Sequence, residues 1–139
     1  KTITLPTETQ WEKAARGDRD QRAHPWGAAW DETKCNTNAL GIGATTPVGI
    51  FPEVSSPYGC LDMAGNVWEW CHSLYKPYPY RATDGRESEA GDGARVLRGG
   101  SWSDAQDFAR CAYRGDLHPD PRLGNFGFRC CVVSTGSRR

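Results

Sequence analysis

Arg98-Gly99-Gly100-Ser101-Trp102 and Asn125-Phe126-Gly127-Phe128-Arg129-Cys130 decide how this chain is read. Both stretches are rich in glycine and aromatic residues, the composition of close-packed turns and strands. Between them, residues 103–124 are polar, rich in turn formers and without a hydrophobic period. Two rigid anchors around an irregular segment are the means by which proteins present a binding or catalytic surface. What that segment contains, and what it lacks, carries the functional reading.

Outward from the anchors, residues 95–98 read as a core strand and residues 126–133 as a closing strand, rich in aromatic and β-branched types. Residues 67–71 alternate well enough for a strand, and residues 45–50 read as a short extended piece. Residues 76–93, with Pro77, Pro79, Gly85, Gly91 and Gly93, read as a long, exposed and partly mobile loop, and 52–59 as another loop. Near the start, Thr7-Glu8-Thr9-Gln10 has the form of a capping box. Trp11, Ala14 and Ala15 follow at helical spacing, and Gly17 is placed to stop the helix. Pro25-Trp26-Gly27 reads as a loop pinned by a buried indole, and 134–139 as a polar tail. No internal repeat is visible.

The length suits one domain, enough to bury roughly two-thirds of the surface an unfolded chain exposes. Seventeen basic and seventeen acidic residues balance to zero formal charge. That argues against a phosphate-tracking surface, so no nucleic-acid partner is expected. No apolar run is long enough for a membrane span or a signal peptide. Six cysteines stand at 35, 60, 71, 111, 130 and 131. Their even number admits disulfides, while buried thiols in a reducing cytoplasm are the plainer reading. Cys130 and Cys131, as strand neighbours, point to opposite faces. A cytoplasmic location is expected, with cell-surface display open to a chain that carries a signal upstream.

Leu5-Pro6-Thr7-Glu8-Thr9-Gln10-Trp11-Glu12, Pro25-Trp26-Gly27, Thr46-Pro47-Val48-Gly49, Asp62-Met63-Ala64-Gly65-Asn66-Val67-Trp68-Glu69-Trp70, Arg98-Gly99-Gly100-Ser101-Trp102 and Gly127-Phe128-Arg129 occur in that order. Together they resemble the formylglycine-generating-enzyme (sulfatase-modifying factor) domain along nearly the whole chain. The resemblance implies an irregular α+β fold of C-type-lectin-like architecture, with short strands, few helices and long loops. It places one such domain over 1–133, followed by the tail. The family domain extends further before Leu-Pro-Thr-Glu, so the chain resembles one lacking its N-terminal part.

The family's oxidases bind copper through two cysteines just after the Gly-Gly-Ser motif and oxidise a substrate cysteine. Soft thiolates are what Cu(I) requires. Residues 102–110 contain no cysteine, and the first copper position falls on Asp104. No copper and no such activity are therefore expected. Related sulfoxide synthases hold iron through three histidines; His24, His72 and His118 are scattered here. Cys111 and Cys130 match disulfide positions of secreted members, but the first partner falls at Ala15 and the second before Lys1. The resemblance also implies structural calcium, held by the Asp62 and Glu69 side chains and the Gly65 and Val67 carbonyls. Hard oxygen ligands around a glycine turn suit that ion. A second family calcium position maps near Asn36 and Thr37, where the downstream acid is replaced by Leu40-Gly41-Ile42.

On the emptied face, Arg110, Cys111, Arg114, Pro119, Asp120 and Arg122 keep the family pattern, and other residues are threaded between them. This mosaic resembles the variable proteins of diversity-generating retroelements, prokaryotic ligand-binding proteins whose codons are rewritten at template adenines. An AAC codon rewritten at adenines cannot encode Lys, Glu, Gln, Met or Trp. Between Ser103 and Asn125 only Gln106 belongs to that set. The expected ligand-binding residues are Ser103, Asp104, Ala105, Asp107, Phe108, Tyr113, Gly115, Asp116, Leu117, His118, Pro121, Leu123, Gly124 and Asn125. Phe108, Tyr113, Leu117 and Leu123 supply apolar area, and the acids with His118 supply directional contacts. Trp68, Trp70, Trp102 and Phe128 are expected in the core. The implied partner is a protein or other macromolecule. Two alternatives stand beside it: a divergent metal- and oxygen-dependent oxidoreductase working through Asp104, Asp107 and His118, and a purely structural spacer.

Overall fold

The computed structural model of the chain describes residues 1–134. The expected polar tail falls on 134–139, so all of it but Ser134 lies outside the described residues. The one α-helix among the described residues, α1 (Glu8–Arg16), forms where its local signals put it. The Thr7 hydroxyl accepts the Gln10 N–H at 3.2 Å, and the Gln10 side chain accepts the Thr7 N–H at 2.9 Å. Such a cap contributes about 1 kcal/mol. Gly17, at φ 83°, closes the helix by donating its N–H to the Lys13 carbonyl. Trp11 and Ala15 then lie fully buried one turn apart.

Strands β1 (Thr2–Thr4) and β6 (Cys131–Val133) pair antiparallel, joining the two ends of the described chain. The main sheet has the order β4-β3-β2-β5, built from β2 (Trp68–Leu74), β3 (Arg95–Arg98), β4 (Gly115–Leu117) and β5 (Phe126–Gly127). β2 and β3 are antiparallel, with Glu69 opposite Arg98 and Trp70 opposite Leu97; β5 runs parallel to β2. Alternation divides the residues of β2. Glu69 and Ser73 turn to α1, where they accept the Trp11 indole N–H at 2.6 Å and the Glu8 backbone N–H at 2.9 Å. Trp68 and Trp70 turn to the other side.

Trp11, Ala15, Met63, Cys71, Val96 and Cys111 form the core between helix and sheet. Ala15 and Cys111, the positions of a family disulfide, share this cluster, and all six cysteines are free thiols. Gly99 and Gly100 have φ of 94° and 68°. A Cβ at Gly99 would sit 3.2 Å from the Trp11 ring, and one at Gly100 3.1 Å from the Phe108 backbone. The glycine pair is thus required twice, by conformation and by close packing.

Beneath the sheet lies an ionic cluster that no local pattern announced. Glu8, fully buried, meets Arg114 at 2.7 Å, Arg98 at 3.2 Å and Arg86 at 3.5 Å. Glu12 and Asp84 supply the remaining negative charge, to Arg98 and Arg86 respectively. Arg16 adds a fourth guanidinium on Glu12 at 3.2 Å, so every buried charge of the cluster faces an opposite one, the condition under which buried charge is tolerated.

Four expectations need correction. Residues 45–50 form no strand: the Thr46 N–H is taken by the Asn66 side chain at 2.9 Å, and Val48-Gly49 turns. Residues 126–133 are two strands in different sheets, and Phe128 between them is 67% exposed rather than core. Trp70, Trp102 and Trp26 are half-buried; the Trp26 indole stacks on His24 at 5.2 Å and donates to the Ala29 carbonyl. The loop over 76–93 is not simply exposed, because Arg86 at its centre is 1% exposed.

Candidate ligand-binding face

The face starts from Ser101, which is fully buried and hydrogen-bonded to the Asp104 carboxylate. The Ser101 hydroxyl lies 3.1 Å from the Ser103 hydroxyl, and Asn125 donates to both at 3.2 Å. The Asp104 carbonyl also accepts the Asn38 N–H. Ser103, Asp104 and Asn125 therefore close the base of the loop upon itself, with one Asp104 carboxylate oxygen and the Asn125 side-chain oxygen left for a ligand.

Phe108 and Tyr113 were expected as exposed aromatic anchors. Both are half-buried: their rings meet at 4.9 Å in a T-shape and pack on the buried Trp68 at 6.3 and 5.9 Å. Phe108 sits in a 3-10 turn, Gln106–Ala109, that presses Ala109 into the interior. Gly115 lies over the same indole, where an added Cβ would stand 3.2 Å from the Trp68 ring. Gly115, Asp116 and Leu117 are not loop at all, since they form edge strand β4 on β3. Trp68, read from sequence as core only, is the floor on which this half of the face is built. Its alternation with Glu69 was the one signal that could have placed it there.

Past Leu117 the chain opens outward. Asp116, His118, Pro121, Leu123 and Gly124 are exposed, as are Ala105 and Asp107 nearer the base. A Cβ at Gly124 would meet nothing within 4 Å. His118 stands between two carboxylates, 3.3 Å from Asp92 and 3.0 Å from Asp120. Asp104, Asp107 and His118 are not gathered into a metal-binding cluster; among the described residues no three His, Cys, Asp or Glu side chains are. Cys111 is fully buried, and burial pushes its thiol up to about 11, away from the thiolate that soft metals need.

Asp62, Val67 and Glu69, at the implied calcium position, line one open pocket beside Arg129. The Arg129 guanidinium grips Glu69 at 2.6 and 2.7 Å and the carbonyls of Leu61 and Asp62 at 3.1 and 3.0 Å. With the Trp11 indole, three of the four lone-pair directions of Glu69 are used. Asp62 gives one oxygen to the Gly49 N–H at 2.7 Å. The second Asp62 oxygen and one Glu69 direction are left without a hydrogen-bond partner, while the Gly65 carbonyl accepts the Val67 N–H at 3.0 Å and the Arg129 cation already sits on Glu69. At the second position, the side-chain oxygens of Asn36 and Thr37 are buried without a hydrogen-bond partner among the described residues. Orphaned oxygens of that kind are what a hard cation satisfies.

Short strands, few helices and a curled sheet define a mixed α+β, formylglycine-generating-enzyme-like fold of the C-type-lectin-like kind. The chain belongs to the family of the sulfatase-modifying factor enzyme 1-like domain, whose model matches residues 2–133. It is 40% identical over 131 residues to the serine/threonine-protein kinase pkn1 of Chlamydia caviae, covering 91% of this chain and 20% of that protein. It is 37% identical over 141 residues to the inactive C-alpha-formylglycine-generating enzyme 2 of Mus musculus, covering 91% of this chain and 42% of that protein. Among solved structures, Treponema denticola variable protein 1 superposes with a TM-score of 0.78 at 30% identity, covering 92% of this chain and 46% of that one. The chain thus spans between a fifth and somewhat under half of these relatives' lengths.

Proposed function

We propose that this chain is a non-catalytic ligand-binding domain of the diversity-generating-retroelement variable type, presenting residues 103–125 to a protein or other macromolecule. The observation that carries the reading is the division of that segment. Its base is locked by Ser101, Asp104, Asn125 and the Trp68 platform, while Ala105, Asp107, Asp116, His118, Pro121, Leu123 and Gly124 project into solvent, His118 touching only the exposed carboxylates of Asp92 and Asp120. Such positions tolerate replacement without cost to the fold, which is what a variable surface requires. Likeness to a variable protein supports the same reading, as does likeness to an enzyme relative named inactive. The cysteine-free stretch 102–110 argues against copper-dependent thiol oxidation. Buried free thiols at Cys35, Cys71 and Cys111 support a reducing compartment.

A display library varied at the seven projecting positions tests this reading. Selection on two unrelated proteins, lysozyme and serum albumin, is expected to yield specific binders that keep the parent melting temperature. A library that unfolds, or that yields no binder to either, would sink it. Turnover of a cysteine-containing peptide to an aldehyde by the purified protein with copper would overturn the non-catalytic part. Calcium belongs to the proposal as a structural clamp held by Asp62, Gly65, Val67 and Glu69. Titration calorimetry should show binding that Asp62→Ala weakens and that raises the melting temperature.

A further inference from the structure

A cleft of about 490 Å³ opens on the side of the main sheet that carries Trp70. Leu5, Trp70, His72, Glu89, Arg95 and Pro119 line it. Pro119 aside, it uses none of residues 103–125, and the reading of that face does not bear on it. Its size is that of a small-molecule site. Most of its polar groups are already committed. Arg95 donates to the carbonyls of His72, Ser88, Glu89 and Gly91, binding the 88–91 turn to β3. Cys71 contributes to the wall, but its side chain is buried in the core and burial raises its thiol far above the reactive range.

His72 is different. Its Nδ1 lies 3.1 Å from Glu87, whose carboxylate is itself fixed by the Ser73 hydroxyl at 2.6 Å and the Tyr80 hydroxyl at 2.8 Å. An ionised carboxylate only accepts, so the ring proton of neutral His72 must sit on Nδ1. Nε2 is then a bare acceptor, and at 3.8 Å from Glu89 it is beyond hydrogen-bonding distance of that side chain. Glu89 is 89% exposed at the rim. Beside them the half-buried Trp70 offers an indole, held edge-to-face by Phe126 at 5.8 Å. An imidazole nitrogen and a rim carboxylate, each without a hydrogen-bond partner, and an aromatic surface together ask for a donor-bearing cation on an apolar stem.

We propose that this cleft binds a small aryl-alkyl amine, its ring against Leu5 and Trp70 and its ammonium between Glu89 and His72 Nε2. An NMR titration with phenethylamine tests it, with phenethyl alcohol and phenylacetate as neutral and anionic counterparts. Phenethylamine is expected to shift the side-chain signals of Trp70 and His72, to bind about fivefold more tightly than the alcohol, and to leave phenylacetate without measurable binding. Glu89→Gln, at an exposed position that the fold does not need, should weaken the amine about fivefold and leave the alcohol unchanged. Trp70→Ala, provided its melting temperature is retained, should weaken both. Equal binding of amine and carboxylate, indifference to Glu89→Gln, or shifts confined to other residues would overturn the proposal. These outcomes are read without the display library, so either proposal can fail alone.

Discussion

Residues 76–94 and 103–125 have similar compositions, with glycine, proline and charge in place of a hydrophobic period. In 76–94 the decisive side chains turn inward. Arg86 reaches the buried Glu8, stacks on Tyr80 at 4.6 Å and takes the Pro77 carbonyl, while Glu87 gathers Ser73, Tyr80 and His72. In 103–125 the inward contacts stop at Gly115 and Leu117 and resume only at Asn125, and residues 118–124 between them are exposed. A polar loop becomes frame when its charges find partners inside, and display surface when they do not.

The contrast can be broken at several points. Arg86→Ala should cost the most, about 3 kcal/mol by urea denaturation, because it leaves Glu8 and Asp84 short of a partner. A cost no greater than that of an ordinary surface change would return 76–94 to the status of a passive loop. Phe108→Ala should lose about 2 kcal/mol, below the range of a fully buried phenylalanine, as its ring is only half covered by Trp68 and Tyr113. No loss there would mean the aromatic group is a free contact residue after all.

A smaller effect is expected in acid. The Arg86 guanidinium lowers the Asp84 carboxyl from 3.8 to about 2. A depressed native pKa stabilises the fold above the unfolded value, and that stability fades as pH falls from 3.8 toward about 2. Asp84→Asn should flatten the stability profile over that window and leave it unchanged in form near neutrality. The smallest effects belong to the outward stretch. His118→Ala, Leu123→Ala and Gly124→Ala should each stay within about 0.5 kcal/mol of the parent in thermal or urea unfolding. A large loss at any of them would show that the outward stretch is also frame.

Part of the frame around the 103–125 segment was legible in outline. The strand at 95–98 and the Gly99-Gly100 turn lie where the sequence places them, and Asn125 gives its carbonyl to the Trp68 N–H, but the segment between them, read as an irregular loop, contains the edge strand β4. The roles within it were not legible. Phe108 and Leu123 are both apolar residues in a polar run, yet one packs on Trp68 and the other is exposed, and nothing in their neighbours distinguishes them. The cleft beside Trp70 and His72 escaped notice because its walls come from Leu5, β2, β3, the 88–91 turn and Pro119, which share no motif.

The chain alone determined what depends on near neighbours. The Thr7–Gln10 box and Gly17 set the ends of α1, residues 95–98 make a strand, Gly99 and Gly100 make the turn, and residues 102–110 hold no cysteine. Tertiary structure alone decided that Glu8 serves as the hub for three arginines, that 126–133 divides between two sheets with Phe128 outside, and which part of 103–125 is held. Those outcomes rest on partners such as Glu8 and Arg114, 106 residues apart. Local propensity acts over a few residues, whereas burial and charge pairing are settled only when distant segments meet.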